Sequence, residues 1–298
     1  MIKRTLYFGN QAYLSLKDNQ LVIKKRDGEI VTAAIEDIAY IVLDSPQITV
    51  TNALLGALLE NNCAIINCDK THLPSGLLLP LSGNTLQSER FQAQIEASLP
   101  LKKQLWQQTV QQKILNQAAI LKATRNAEIG NMTAWANSVR SGDVDNREAV
   151  AAAYYWKEMF PDISDFVRDR NGVPPNNMLN YGYAILRGVV ARALVSSGLL
   201  PTLGIHHHNR YNAYCLADDI MEPYRPIVDK LAIDILTEIK EYPKDLSTDI
   251  KAKILQIPVL DCFINGERSP LMNAVATTTA SLAKCYMGVT KKLIYPEV

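Results

Sequence analysis

The hydrophobic and polar positions of the first 80 residues follow a short pattern typical of β-strands. Three runs of strand type, Tyr13 to Leu16, Leu21 to Lys24 and Ile30 to Ala33, lie close together in the sequence. They are separated by Asp18-Asn19 and by Asp27-Gly28, and both dipeptides are strong turn signals. The pattern therefore predicts a small antiparallel sheet with two hairpin connections.

The remainder of this first region predicts two further strands and one helix. The strands are expected at Ile38 to Val42 and at Ala64 to Ile66, with a helix from Asn52 to Leu59 between them. We expect residues 1–80 to form a β-rich scaffold or dimerisation domain. Residues 81–85, with their Ser-Gly-Asn sequence, are expected to form a linker.

Beyond this linker, residues 86–298 follow a helical pattern. Along one predicted helix the apolar residues recur at spacings of three to five, at Leu105, Val110, Ile114, Ala118 and Leu121. The other side of that helix is expected to be solvated, or to contact phosphate, through its lysines, Lys102, Lys103, Lys113 and Lys122. We therefore expect an α+β protein, with a small N-terminal β-rich domain followed by a larger all-α domain.

The later helices are predicted from the same periodicity. A long apolar helix in the segment NMLNYGYAILRGVVARALVSSG should end at Gly198 and lie at the centre of the core. Three more helices are expected further along the chain, at Pro226 to Lys240, Thr248 to Leu255 and Ser269 to Met287. The most apolar stretch, Ala184 to Leu200, carries Arg187 and Arg192, so it does not fit a membrane span.

Composition excludes several classes of protein. The chain has 298 residues, room for two domains, and 48% of them are hydrophobic, which is typical of a globular protein. Its 31 basic and 30 acidic residues leave a net charge of +1, so no overall field indicates a nucleic-acid partner. Five scattered cysteines without a CxxC pair argue against a disulfide framework or a zinc ribbon. We expect a cytoplasmic protein without a signal peptide or a membrane partner.

Candidate chemistry is concentrated between Gly204 and Arg225. His206, His207 and His208 are expected in a loop that leads into a helix beginning near Tyr211. On that helix, Asp219 and Glu222 are three residues apart and therefore share one face. Two carboxylates and an imidazole are ligands that suit a divalent cation.

A structural explanation of the same residues stays open. Asp218, Asp219 and Glu222 also fit a solvated helix face, with Arg225 as the salt-bridge partner of Glu222. Pro223 is expected to kink the helix directly after Glu222.

A third carboxylate, Glu148, belongs to the first turn of a helix that follows Asp143 to Asn146. Acidic residues are common at this position because they complement the helix dipole. The alanines around Glu148 have small side chains, which leaves room for a bulky group to approach. Both a structural and a functional role are therefore open for this residue.

Three segments, in this order, carry a resemblance to a known family: NREAVAAAYYW, NNMLNYGYAILRGVVARALVSSGLLPTLGIHH and LADDIMEPYRP. The chain resembles CRISPR-associated protein 1, the integrase that inserts new spacers into a CRISPR array, in its type II variety. The resemblance covers the whole chain. It implies a β-rich domain and a helical catalytic domain, a homodimer, a complex with CRISPR-associated protein 2, and contacts with other type II CRISPR proteins.

The resemblance also implies a catalytic metal site. It places the ligands of Mg²⁺ or Mn²⁺ at Glu148, His206 and Glu222, with Asp219 one turn earlier as a further candidate. Many family members have aspartate in place of Glu222, and His207 and His208 have no firm counterpart. The arginines closest to these residues in sequence are candidate DNA contacts, namely Arg147, Arg187, Arg210 and Arg225.

The implied reaction is a transesterification, in which the 3′-hydroxyl of a short DNA fragment attacks a phosphodiester at the edge of a CRISPR repeat. One phosphodiester replaces another, so no ATP site is required, and the sequence has no Walker loop. Two rival functions stay open. One is a metal-dependent nuclease that hydrolyses branched DNA, and the other is a non-catalytic DNA-binding scaffold.

Overall fold

The computed structural model of the chain describes residues 3–163 and 166–298. The chain divides into two compact units, Met1–Thr85 and Leu86–Val298. The first unit is rich in strands and the second is mostly helical.

The first unit contains two four-stranded sheets and one helix, α1 (Asn52–Glu60). Its strands are β1 (Arg4–Phe8), β2 (Ala12–Lys17), β3 (Gln20–Lys25), β4 (Ile30–Ala34), β5 (Ile38–Leu43), β6 (Ile48–Val50), β7 (Ala64–Cys68) and β8 (Pro74–Leu78). In one sheet, β2, β3 and β4 form the predicted antiparallel ladders, and β6 pairs with β2 in parallel. The predicted turns are confirmed by positive φ angles at Asp18 (50°), Asn19 (55°) and Gly28 (88°).

The second sheet has the order β1, β5, β7, β8, and its first three strands are parallel. The predicted antiparallel sheet is therefore confirmed for β2, β3 and β4, whereas the further strands predicted at Ile38 to Val42 and Ala64 to Ile66 belong to this second sheet. Strand β5 is buried along nearly its whole length, so it lacks the alternation of apolar and polar residues that marks a half-exposed strand. Parallel partners are also far apart in sequence, and no local turn indicates their pairing.

The second unit consists mainly of helices. They are α2 (Gln87–Glu96), α3 (Leu99–Arg125), α4 (Gly130–Asn137), α5 (Arg147–Met159), α6 (Asn176–Ser196), α7 (Cys215–Met221), α8 (Arg225–Ile239), α9 (Thr248–Ile254) and α10 (Leu271–Tyr286). The all-helical prediction is wrong for a hairpin of β9 (Asp261–Ile264) and β10 (Glu267–Pro270). Its turn is Asn265-Gly266, with φ angles of 53° and 77°, which is a hairpin signal that the helical interpretation overlooked.

Helix α6 lies at the centre of the second unit, as predicted. It packs against α7, α8 and α10 and is buried along most of its length. Gly182 allows a close approach to α8, because a Cβ atom there would lie 2.6 Å from Val228 Cγ1. Beyond the helix end, Gly198 has a φ of 67°, the left-handed conformation expected after a helix C-terminus.

Helix α3 runs beside α4, α5 and α8 and begins at Ser98, whose hydroxyl accepts a hydrogen bond from the Leu101 amide. The predicted apolar face is buried, including Leu105, Val110 and Ile114. The expectation that Lys113 lies on an exposed face is wrong, because this residue is only 9% exposed. A helix enclosed on several sides buries part of its polar face as well.

Within the described parts of the chain, no helix combines the length and hydropathy needed to cross a bilayer.

Candidate active site

Glu148 lies in the first turn of α5, where the sequence predicts it. The helix start is fixed by Asp143, whose carboxylate accepts hydrogen bonds from the backbone amides of Arg147 (2.8 Å) and Glu148 (3.0 Å). This cap satisfies two amides that would otherwise lack an intrahelical partner. The Glu148 side chain is therefore free to point across to α3.

Glu148 meets Glu222 at one ammonium group, that of Lys113. Lys113 Nζ donates a hydrogen bond to Glu148 Oε1 at 2.6 Å and lies 2.6 Å from Glu222 Oε2. The second contact is a buried ion pair at the same distance as the first. Two acids that are 74 residues apart in sequence thus share one cation.

Glu222 lies at a break between two helices. Helix α7 ends at Met221, a short 3-10 helix spans Glu222–Tyr224, and α8 begins at Arg225. Pro223 lies in the first turn of the 3-10 helix, so the α-helix is interrupted where the sequence predicts a kink. This short segment packs against α3 and carries Glu222.

The carboxylate of Glu222 is held by two cations. In addition to Lys113, the Arg225 guanidinium lies 2.9 Å from Glu222 Oε1, and it stacks over the ring of Tyr183 at 4.6 Å. Burial opposes ionisation of Glu222, but Arg225 and Lys113 outweigh it, so the pKa of Glu222 is lowered. Burial likewise opposes the charge on Lys113, and the two glutamates outweigh it and raise its pKa. The cluster is therefore charged and internally compensated.

The alternative of a solvated helix face is wrong for these acids. Asp218, Asp219 and Glu222 are all buried, with at most 7% of any of them exposed. The salt bridge between Glu222 and Arg225 that this alternative expected is nevertheless present.

Asp219 organises the histidine loop. Its Oδ2 accepts hydrogen bonds from the backbone amides of Ile205 (2.7 Å) and His206 (2.9 Å), and its Oδ1 accepts one from His207 (3.3 Å) and contacts His207 Nδ1. Gly204 is required beside it, because a Cβ atom there would lie 2.8 Å from Asp219 Oδ2 and 2.3 Å from the His207 carbonyl oxygen. Both carboxylate oxygens of Asp219 therefore accept hydrogen bonds from the histidine loop.

The loop histidines have different surroundings. The His206 ring stacks on Trp106 of α3, with centroids 4.2 Å apart and an interplanar angle of 3°, and the His207 ring meets Trp106 edge-on at 5.7 Å. Burial lowers the pKa of His206. The hydrogen bond to Asp219 raises the pKa of His207, with smaller contributions from Glu222 and Glu148. His208 is exposed.

The helix after this loop begins at Cys215, four residues later than predicted. The reason is a pair of side-chain turns. Asn209 Oδ1 accepts a hydrogen bond from the Tyr211 amide at 2.9 Å, and Asn212 Oδ1 accepts one from the Tyr214 amide at 2.9 Å. Asparagine bonds of this kind compete with helix formation.

The four candidate arginines have different environments. Arg187 Nε donates to Asp218 Oδ1 at 2.6 Å, while its side chain keeps 42% of its surface exposed. Arg210 is exposed and lies 4.6 Å from the ring of Tyr211, its sequence neighbour. Arg147 is partly buried, and Arg225 forms a salt bridge with Glu222. Arg187 and Arg210 are thus the two of these cations that are most accessible to a phosphate.

The donors at this site fit a divalent cation in type and charge. Two carboxylates converge on one positive charge, and imidazoles lie on the adjoining loop. In residues 3–163 and 166–298, however, no three His, Cys, Asp or Glu side chains converge as a complete metal site. The position between the two carboxylates is held by the Lys113 ammonium instead.

Sequence reasoning missed two residues of the site, Lys113 and Trp106. Both lie on the inner side of α3, since Trp106, Val110, Lys113 and Gln117 recur at helical spacing and are all buried. This position of Lys113 within the buried stripe was the available signal. Its charge favoured the opposite interpretation, a solvated face.

Comparison with known proteins identifies relatives of the whole chain. The profile of the family described as "CRISPR associated protein Cas1" matches residues 6–265. The chain is 38% identical over 303 residues to a protein of Neisseria meningitidis serogroup C (strain 8013) named "CRISPR-associated endonuclease Cas1". That alignment covers 100% of this chain and 97% of the relative.

Two solved structures share the fold at low sequence identity. One is a "Casposase bound to integration product", with a TM-score of 0.80, 20% identity and coverage of 98% of this chain and 92% of that chain. The other is a "Cas6-RT-Cas1–Cas2 complex", with a TM-score of 0.76, 20% identity and coverage of 99% of this chain and 36% of that chain. The mixed fold, the family profile and the full-length relative agree, and the chain belongs to the Cas1 family of CRISPR-associated proteins.

Proposed function

We propose that the protein is a metal-dependent DNA integrase of CRISPR spacer acquisition. It joins the 3′-hydroxyl ends of short DNA fragments to a CRISPR repeat by transesterification. The observation that carries the proposal is the meeting of Glu148 and Glu222 at one cation, beside a histidine loop. The name of the Neisseria relative, an endonuclease, and the integration product bound to the casposase support DNA-strand chemistry.

Glu148 and Glu222 would hold Mg²⁺ or Mn²⁺ together with one imidazole of the loop. When bound, such an ion stabilises negative charge on the phosphoryl oxygens and lowers the pKa of the attacking hydroxyl. Arg225 keeps Glu222 ionised and fixes its position. The remaining requirement is a third ligand from the histidine loop.

Two histidines compete for this role. The family resemblance assigns it to His206, whose ring is stacked on Trp106. The hydrogen bonds favour His207, because Asp219 contacts its Nδ1 and leaves Nε2 available. Metal-binding histidines commonly donate their other ring N–H to a carboxylate in this way. The test is to measure the Mn²⁺ affinity of the His206→Ala and His207→Ala variants. The variant that lacks the metal ligand should show the large loss of affinity.

DNA is held through its phosphates in this proposal. Arg187 and Arg210 are the accessible candidates, and Arg147 is a further one closer to Glu148 in sequence. Phosphate contacts supply affinity without sequence information. Binding should therefore weaken with salt, and less steeply once one of these arginines is replaced.

The proposal includes partners and a compartment. We propose a homodimer that assembles with CRISPR-associated protein 2 and contacts other type II CRISPR proteins. A solved complex of the same fold is named as containing Cas1 and Cas2. The five scattered cysteines, without a CxxC pair, fit a reducing cytoplasm.

The test is a joining assay with a supercoiled plasmid that carries a CRISPR repeat, a labelled DNA fragment, CRISPR-associated protein 2 and Mn²⁺. Joined products are expected with the wild type and not with Glu148→Gln. Glu158→Gln, on the same helix, is the matched control and should retain joining. Cleavage without joining would favour a nuclease, and joining that survives Glu148→Gln in a folded protein would favour a scaffold.

A further inference from the structure

We propose that Lys113 is a built-in counter-cation of the active site, which a divalent metal ion must displace from between Glu148 and Glu222. This inference rests on the proposed function, because it concerns the same site. It adds a residue that is neither a metal ligand nor a DNA contact. Its role is to hold the two carboxylates in the metal-free protein.

The geometry supports this role. Lys113 Nζ lies 2.6 Å from an oxygen of each glutamate, so it stands between the two groups that would bind the ion. Its side chain is only 11% exposed, and those of Glu148 and Glu222 are 24% and 5% exposed. Two carboxylates this close and this buried repel each other unless a cation separates them. Lys113 supplies that cation from within the chain.

The balance of charge makes displacement necessary. Lys113 and Arg225 carry two positive charges, which the two glutamates neutralise. A divalent ion added to this cluster would bring two further positive charges into a largely buried site, at a high electrostatic cost. Arg225 is stacked on Tyr183 and cannot leave without losing that contact as well. Lys113, on a flexible four-carbon stem, is therefore the cation that must move away.

Movement of Lys113 would make two carboxylate oxygens available. Glu148 Oε1 and Glu222 Oε2 each face the ammonium at 2.6 Å. These two oxygens can therefore accept a metal ion as soon as the lysine moves.

The first experiment measures Mn²⁺ binding to the full-length protein without DNA, by electron paramagnetic resonance of the free ion. Lys113→Met removes the competing charge, so we expect Mn²⁺ to bind about tenfold more tightly than to the wild type, or more. Lys122→Met, on the exposed side of the same helix, is the matched control and should bind Mn²⁺ as the wild type does. Equal or weaker binding by a folded Lys113→Met protein overturns the proposal.

The second experiment uses the wild type and does not depend on a variant that folds. Lysines are acetylated with and without Mg²⁺, and the modified peptides are quantified by mass spectrometry. Lys113 should be protected in the metal-free protein and modified at least several-fold faster with Mg²⁺, while Lys122 should react equally in both. Modification of Lys113 at the same rate in both conditions contradicts displacement.

A third variant separates this inference from the proposed function. Glu222→Gln should abolish Mn²⁺ binding if the site holds metal. Suppose that Glu222→Gln abolishes Mn²⁺ binding, that Lys113→Met binds Mn²⁺ as the wild type does, and that Mg²⁺ does not change the acetylation of Lys113. In that case only the role of Lys113 is refuted. If neither the wild type nor Lys113→Met binds Mn²⁺, the metal site and the counter-cation are refuted together.

Discussion

Glu222 and Asp229 are two buried carboxyl groups, seven residues apart, in contrasting environments. Glu222 is paired with Lys113 and Arg225, and its pKa is lowered. Asp229 accepts hydrogen bonds from the hydroxyls of Tyr155 (2.9 Å) and Tyr183 (2.5 Å). Burial raises the pKa of Asp229 to about 6, although both tyrosines, Arg225 and Arg168 oppose the rise. Glu222 is thus ionised at neutral pH, whereas Asp229 titrates close to it.

The contrast shows that burial alone does not decide the charge of a carboxyl group. Cations in direct contact outweigh desolvation at Glu222, whereas neutral hydroxyls at Asp229 do not. Asp219 is a third buried carboxyl group with different partners, since its oxygens contact backbone amides and an imidazole. Of these three groups, Glu222 is the one whose two oxygens both face cationic side chains.

The largest expected effect is that of Glu222→Gln on joining. The variant keeps the size of the side chain but loses the charge that pairs with two cations and that, under the proposed function, binds the ion. A bound metal contributes several kcal/mol to the transition state, so the joining rate should fall by about 100-fold or more. The joining assay measures this, with circular dichroism to verify folding. A folded variant that joins DNA at the wild-type rate would exclude Glu222 from the chemistry.

The next effect concerns Asp229 and the pH dependence of stability. Its pKa is about 6 in the folded chain and 3.8 in the unfolded reference. Between these two pH values, the folded chain therefore holds a proton that the unfolded chain lacks. The free energy of unfolding should therefore increase by about 2 to 3 kcal/mol as the pH falls from 7.5 to 4. This gain should be lost as the pH rises through 6. Asp229→Asn should lack this dependence.

Urea unfolding across this pH range tests the Asp229 prediction. Asp234→Asn is the matched control, because Asp234 is exposed on the same helix and pairs only with Lys230 among the contacts described for it. The control should follow the wild-type curve. Parallel curves for Asp229→Asn and the wild type would contradict a raised pKa at Asp229.

A smaller effect is expected for Asp219→Asn, which replaces with an amide the carboxylate that accepts hydrogen bonds from residues 205–207. Replacing such a supporting carboxylate commonly lowers metal affinity or activity by about 10- to 100-fold. Mn²⁺ titration and the joining assay should both change, and the melting temperature should fall as well. Unchanged Mn²⁺ affinity in the folded variant would mean that the loop does not take part in metal binding.

The smallest effect is expected for Tyr183→Phe, which removes one hydroxyl bond to Asp229 and keeps the ring under Arg225. The loss should cost about 1 kcal/mol of stability and raise the pKa of Asp229 further, because that bond favours the ionised carboxylate. Carboxyl ¹³C chemical shifts measure the titration, with Tyr155→Phe as the paired variant. A lower Asp229 pKa would contradict the assigned role of the hydroxyl.

The sequence predicted those parts of the fold that depend on local signals. The hairpins around Asp18-Asn19 and Gly28 follow from residues that accept a positive φ, and the first residues of β2 alternate between buried and exposed positions. The parallel sheet could not be predicted in the same way. Strand β1 pairs with β5, some 34 residues later, and neither strand contains a signal for its partner.

The same distinction applies to the site. Glu148 at a helix start and Pro223 at a break could be read from the sequence, because both are local features. The meeting of Glu148 with Glu222 was expected only from the family resemblance. The burial of Lys113 depends on how several helices enclose α3, and its charge favoured a solvated face although its spacing from Trp106 and Val110 places it on the buried side.

The ion pairs of Lys113 have a consequence for biosynthesis. Many small metal-binding domains fold only once their ion is present, because metal binding supplies the free energy of folding. Here the chain supplies a cation between the two carboxylates itself. Under the proposed function, a newly made molecule can therefore fold before it binds a metal ion.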